Sequence, residues 1–466
     1  MKRTKKVITS AKFRTKESSA VLHADSRIRA LAIGGRTEES DASSGLIGKV
    51  TEHCGGKSLL DHGVWLDLAF PHVIGVFGTR GTGKSFDLGV IAESVAGLDG
   101  VISGRAPTTA VVIFDIQNQF WTLALQPERG LPEDLQHLSA LDAWGLRKAG
   151  LPDVNLWLPA GLETTLPNTR IFRLSPEQLQ PSDWLAALEL ERYSAMGQAL
   201  LTLLNYDGSR QPSVLANRAI PSPALNAFQQ STIDALRWRL LALADSELVQ
   251  NPGVDVRELL VPGRVSVLLL RELEDGLRAL IAGVLMRLFS ARMGSFHLER
   301  RFNRRLGADS SEEDLPERLW TFVDEAHVIA PKSGSTAAST SVVDYVKRGR
   351  DAGLSLVFAT QQPSAVDDRL MSQVDLTLTH SLGFESDLQA AIGRMPTRTS
   401  ITYERAGFPL PSLADTIRSL DPGEAVVADA ANGRIFLSRI RPRLSAHGGN
   451  TPTTAKLRDE DASRVE

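Results

Sequence analysis

The sequence predicts an α/β fold: a mainly parallel sheet, a helical insertion and a short, reduced β region at the N-terminal end. Three observations carry this expectation. A glycine-rich loop, Gly78-Thr79-Arg80-Gly81-Thr82-Gly83-Lys84-Ser85, lies between the apolar run Val73 to Phe77 and a helix-compatible segment. Short apolar runs then alternate with helical stretches, the pattern of parallel strands joined by helices. Between residues 121 and 256 that alternation gives way to Leu-, Ala-, Gln- and Glu-rich segments separated by prolines.

The elements follow in order. Residues 1–20 read as a basic arm without the apolar stretch of a secretory signal, and residues 21–66 as short, weakly strand-like pieces. Ala110 to Asp115 is a buried strand ending in a carboxylate. In the insertion, LQHLSALDAWGLRKAG, DWLAALELERYSAMGQALLTLL and FQQSTIDALRWRLLALA have helical spacing. Val265 to Leu270 reads as a strand and Glu274 to Met293 as a helix. Leu319 to Val323 is a strand running into Asp324-Glu325, Ser341 to Ala352 a helix, and Leu354 to Thr360 the next strand. Val374 to Thr379 and Ala425 to Asp429 are further strands, with Ile435 to Ile440 at the edge and little structure in the polar tail. The expected organisation is an N-terminal region over 1–66, a core over 67–120 and 257–445, the insertion over 121–256 and a tail over 446–466.

Composition sets limits. Of 466 residues, 42% are apolar and 23% charged, as in ordinary globular chains. The net charge of −3 gives no whole-protein attraction to nucleic acid, so DNA affinity would need local basic surface. The single cysteine, Cys54, excludes an intramolecular disulfide and fits a reducing compartment, its default role being a buried bystander. No run of about 18 apolar residues is evident, so no membrane span and a cytoplasmic location are expected.

The loop carries the firmest chemistry. G-x-x-x-x-G-K-[ST] between a strand and a helix binds a nucleoside triphosphate. Backbone N–H groups of Gly78, Thr79, Gly81, Thr82, Gly83, Lys84, Ser85 and Phe86 would cradle phosphates, Lys84 would neutralise β and γ oxygens, and Ser85 would offer its hydroxyl to Mg²⁺. Asp324, leaving a strand end, suits the Mg²⁺ shell, and Glu325 can polarise an attacking water. Gln361 follows the next strand directly and can sense the γ-phosphate. Asp115 either meets Mg²⁺, Lys84 or a neighbour's arginine, or caps its own turn.

Other features stay open at this level. Asp324 to His327 spells DEAH, but the long separation from Lys84 and the short remainder after Gln361 leave no room for a second motor domain, so His327 reads as a neighbour of the site. Arg348 and Arg350 are either surface arginines or fingers reaching a neighbouring subunit's γ-phosphate, which would place sites between protomers of a closed ring. Arg300, Arg301, Arg304 and Arg305 form either a phosphate-tracking surface or a loop neutralised by the acidic SSEED that follows. Residues 330–340, including Lys332, read as a mobile loop or a DNA-touching one.

Four blocks together resemble the HerA/FtsK superfamily of hexameric ATPases, in its HerA-like branch: VWLDL leading to HVIGVFGTRGTGKS, VVIFDIQNQF, PGRVSVLLLRELEDGLRALIAGVLMRLF with LWTFVDEAHVIAP, and VKRGRDAGLSLVFATQQPSAVD. The ending IRPRLSAHGG is similar to the family's last core strand. The resemblance implies a RecA-like P-loop NTPase core, ATP and Mg²⁺ as cofactors, a homo-hexamer, and double-stranded DNA in its channel. It also implies an effector partner such as a nuclease or a sirtuin-like protein, as in anti-phage systems. It implies Lys84 and Ser85 for phosphate and Mg²⁺, Asp324 for metal, Glu325 as catalytic carboxylate, Gln361 as sensor and Arg350 as trans finger, with Arg348 in reserve.

Two departures from the family pattern stand out. Gln119 occupies a position where an acid is frequent, and the short stretch before Gly78 leaves little room for an assembly barrel. The alternatives are an ATP-binding scaffold that regulates an effector with little translocation, and a secretion coupling ATPase, which the expected absence of N-terminal membrane helices disfavours.

Overall fold

In the computed structural model of the chain, the described residues are 30–35, 44–51, 53–54, 57–58, 62–97, 108–206, 208–219, 222–307, 315–396, 403–405, 408–410 and 412–449. The basic arm, the SSEED segment, the tail beyond residue 449 and the side chain of Cys54 lie outside them.

Apolar runs buried on both faces make the sheet. Val111, Ile113, Phe322 and Val357 join one apolar cluster, whereas Ala110, Val112, Phe114 and Phe358 join the other, the two-residue alternation of extended chain. The strands are β1 (Ala30–Ile33), β2 (Ser44–Val50), β3 (Gly63–Asp67), β4 (Val73–Phe77), β5 (Thr109–Asp115), β6 (Val154–Pro159), β7 (Thr169–Phe172), β8 (Val265–Leu269), β9 (Arg318–Val323), β10 (Leu354–Thr360), β11 (Leu376–Thr379), β12 (Glu424–Asp429) and β13 (Arg434–Ile440). Their spatial order is β1-β3-β2-β13-β12-β11-β4-β10-β9-β5-β8-β6-β7. From β11 to β7 every pairing is parallel. Beyond β11 the pairings to β12, β13, β2 and β3 are antiparallel. The fold is therefore α/β with a mainly parallel sheet.

Helices cover both faces. On one side lies α1 (Lys84–Val95), with α2 (Pro132–Trp144) beside it. On the other lie α3 (Pro181–Ala187), α4 (Ala195–Leu204), α5 (Pro212–Arg218), α6 (Gln230–Asp245) and the long α7 (Asp275–Leu306). The shorter helices α8 (Ala326–Ile329), α9 (Ser339–Lys347) and α10 (Gly349–Ala352) follow, and then α11 (Asp368–Met371), α12 (Glu385–Ile392) and α13 (Leu413–Arg418).

Four expectations need correction. The stretch 121–256 is mostly helical, but β6 and β7 lie within it and extend the central sheet, with Leu158 packing on one face and Trp157 on the other. The β13 strand is not an edge, because β2 pairs with it and β3 and β1 continue beyond. The helix expected over Ser341 to Ala352 is two helices hinged at Arg348. Helix α7 runs past Met293 to Leu306, where Arg304 and Arg305 complement the last-turn carbonyls and Gly307, at φ 65°, terminates it. By length and composition α7 is also the one described helix apolar enough to cross a membrane, and 67% of that window is buried inside the fold.

The chain leaving β13 wraps back over α1. Arg441 and Arg443 are fully buried there with Glu93 of α1. Glu93 accepts from Arg441 at 2.8 Å and from the backbone N–H of Leu444 and Ser445 at 3.0 and 2.9 Å. Burial alone pushes the Glu93 carboxyl up, but the Arg441 and Arg443 charges, with hydrogen bonds from Leu444 and Ser445, hold the group below the usual range.

Candidate active site

Register brings the site together. Phe77 of β4 pairs with Thr360 of β10, Val323 of β9 with Phe358, and Phe114 of β5 with Val323. The strands therefore end level with one another, and the residues that follow them, Gly78, Gln361, Asp324 and Gln117, meet at one edge. This is the carboxyl edge of a parallel sheet, where ligands bind.

The glycine-rich loop joins β4 to α1. Gly83, the residue before α1, has φ 118° and ψ 4°, a conformation L side chains rarely adopt. The loop is tied down from β11, since Thr79 donates its backbone N–H to the Ser381 carbonyl at 2.9 Å. The Thr79 carbonyl accepts from Lys84 Nζ at 2.9 Å and from Thr82 Oγ1 at 2.8 Å. Lys84 is buried, and burial lowers its pKa although Glu325, Asp324 and Asp87 oppose this. The Phe86 ring packs edge-on between His137 and His447, 5.8 and 5.4 Å away.

Asp324 lies behind Ser85. Ser85 Oγ donates to Asp324 Oδ2 at 3.3 Å. Burial, then repulsion from Glu325 and Asp115, raises the Asp324 carboxyl to about 7. A hydroxyl and a carboxylate beside a phosphate loop are hard oxygen donors that fit Mg²⁺, which keeps few protein ligands and takes the rest from phosphate and water. Among the described residues no cluster of three or more His, Cys, Asp or Glu ligands occurs.

Glu325, like Asn118 nearby in the site's loops, has a strained backbone. Its φ of 51° and ψ of 58° place a non-glycine residue in the left-handed region, a conformation that collects at functional sites. Its Oε1 accepts from Gln117 Nε2 at 3.0 Å and from Gln361 Nε2. Its Oε2 stands 3.4 Å from His327 Nδ1, and His327 also meets Thr360 Oγ1 at 3.2 Å. Gln119 donates to Gln117 at 2.8 Å, so a row of amides braces the carboxylate. Sequence reasoning missed Gln117. Its signal was position: it lies just beyond the end of β5, in the amide-rich IQNQF.

Other candidates divide. Asp115 is the cap of its own turn, accepting backbone N–H groups of Gln117, Gln119 and Phe120 at 3.2, 3.0 and 2.8 Å. Burial nevertheless raises its carboxyl to about 6. Lys332 pairs with Asp368 at 3.2 Å. Arg300 pairs with Glu317 and Arg301 with Asp351, while Arg304 and Arg305 are exposed. Arg348 and Arg350 are both exposed. Arg350 lines a cavity of about 360 Å³ with Lys347, His72, Val73 and Asp375. That cavity lies at the opening ends of β4 and β10, so the structure does not bring Arg350 to its own phosphate loop.

Several known proteins are similar to this chain. The DNA double-strand break repair helicase HerA of Sulfolobus acidocaldarius is 25% identical over 183 residues, 39% of this chain and 32% of that protein. The HerA of Saccharolobus solfataricus is 24% identical over the same shares. The chain thus spans about a third of the length of the curated relatives it matches. Among solved structures, VirB4 of Thermoanaerobacter pseudethanolicus superimposes with a TM-score of 0.49 at 15% identity, covering 85% of this chain and 96% of that one. The plasmid coupling protein TrwB in complex with a non-hydrolysable ATP analogue gives 0.48 at 16% identity, covering 82% and 88%. The family described as Helicase HerA, central domain, matches residues 57–289, half of the sequence, and the chain belongs to that family.

Proposed function

We propose that this chain is an ATPase motor that assembles into a hexameric ring, moves duplex DNA and works with a partner effector. The observation that carries the reading is the braced Glu325: a buried carboxylate in a left-handed backbone, held by Gln117 and Gln361 at the strand edge that bears Lys84 and Ser85. In this reading the loop amides and Lys84 hold the ATP phosphates, Glu325 takes the proton of the attacking water, and Gln361 fixes the position of that water. Ser85 and Asp324 would hold Mg²⁺, which when bound supplies charge neutralisation at the β and γ oxygens. Arg350, remote from its own loop, serves the neighbour's. Family membership supports the motor, and the HerA relatives' role in DNA double-strand break repair supports DNA as the track.

Turnover with and without long duplex DNA, followed by displacement of a DNA-bound roadblock, tests this. Glu325→Gln should retain ATP binding and lose at least about a hundredfold in turnover, together with DNA stimulation and displacement. Turnover that ignores DNA in the unaltered chain would instead support an ATP-dependent scaffold.

A further inference from the structure

The geometry points to Phe384 as the platform on which the nucleobase stacks. This rests on the phosphate-loop reading and extends it to the other end of the nucleotide. Glu325 and Gln361 mark where the γ-phosphate must lie, at the ends of β9 and β10, on one side of the loop. A triphosphate lying along the loop then directs its nucleoside to the opposite side. In the strand order that side is the end of β11, whose Thr379 pairs with Phe77 at the start of the loop.

The ground there is built from two segments. His380 and Ser381 follow β11 directly, and the Ser381 carbonyl accepts both the backbone N–H and the hydroxyl of Thr79, at 2.9 and 3.2 Å. Gly423 donates its backbone N–H to the Thr82 carbonyl at 3.3 Å. Three residues after Ser381 comes Phe384, with 75% of its surface exposed. It immediately precedes α12, and its carbonyl accepts the Leu388 N–H at 3.0 Å, so a helix with a buried Leu388 fixes its backbone. An Arg418–Glu385 ion pair ties that helix start to α13. A large ring left in water three residues from the segment that ties the phosphate loop, on an anchored backbone, has the chemistry to stack on a base. Every base offers a π-face, so such a platform favours nucleotides over free polyphosphate without strongly selecting among purines.

Calorimetric titration of the full chain with Mg·ATP and with tripolyphosphate tests the inference. Phe384→Ala should weaken ATP binding by about five- to a hundredfold, the range expected for one base–aromatic stack, and leave tripolyphosphate affinity unchanged. Phe384→Trp, which keeps a flat ring, should bind ATP within a few-fold of the unaltered chain. Equal ATP affinity in the alanine variant, or equal losses for both ligands, would overturn the platform alone. Failure of the unaltered chain to bind either ligand would overturn the phosphate-loop reading and the platform with it.

Discussion

Single residues carry both chemistry and strain in this fold. Glu325 occupies a backbone region that costs on the order of 1–3 kcal/mol for a non-glycine residue, held there by amides from two neighbouring strands. His447 is a different residue-scale case. Burial, reinforced by the Arg443 charge and by His137, pulls its imidazole down to about 3. An unfolded histidine titrates near 6.5. Between those values the unfolded chain binds a proton that the folded protein refuses, so stability is lost as pH falls below about 6.5. His447→Gln should remove that contribution, on the order of 2 kcal/mol near pH 4.5. Thermal melts of both proteins between about pH 7.5 and 4.5 check it: the decline should be shallower in the variant, and parallel declines would contradict the assignment.

At the scale of elements, the phosphate-loop helix is held from two directions. The loop itself hangs from β11 through Ser381, and the body of α1 is locked to the chain leaving β13 through Glu93, Arg441 and Arg443. Truncating one member of a buried ion cluster strands the other charges, at about 3–5 kcal/mol. Glu93→Ala should therefore lose stability of that order in chemical denaturation, far more than removal of the exposed Arg257–Asp255 pair. Much of the core was legible in the sequence because the apolar runs VVIF and LWTFV lead into the carboxylates Asp115 and Asp324, and parallel register then gathers those ends without further information. Gln117 was not legible, since its role depends on Glu325 arriving from a distant strand. Strands β6 and β7 were hidden too, being short runs among helix-forming segments: β6 pairs with β8, far along the chain, and among the described strands β7 pairs only with β6. The extra turns of α7 escaped for another reason: Leu298, Phe302 and Leu306 are exposed, so beyond Phe296 no buried residue marks its end.

The whole molecule presents two opposite edges. One bears Lys84, Ser85, Asp324, Glu325 and Gln361; the other bears Arg350 beside the cavity at the start of β4 and β10. In the proposed function Arg350 serves a neighbour's site, and a head-to-tail contact that repeats this arrangement makes a ring where its rotation closes. On that proposal each active site is shared between two subunits. Arg350→Ala alone should bind ATP and assemble yet lose turnover by about a thousandfold or more, the effect of removing an arginine finger. Glu325→Gln alone should be equally inactive. The most direct test is to mix the two inactive proteins and measure ATP turnover, with native mass spectrometry confirming mixed assemblies. A shared site predicts recovery, on the order of a quarter of unaltered turnover when subunits mix freely, because some interfaces combine an intact Glu325 with a neighbour's intact Arg350. Mixed assemblies that remain as inactive as either parent would contradict it.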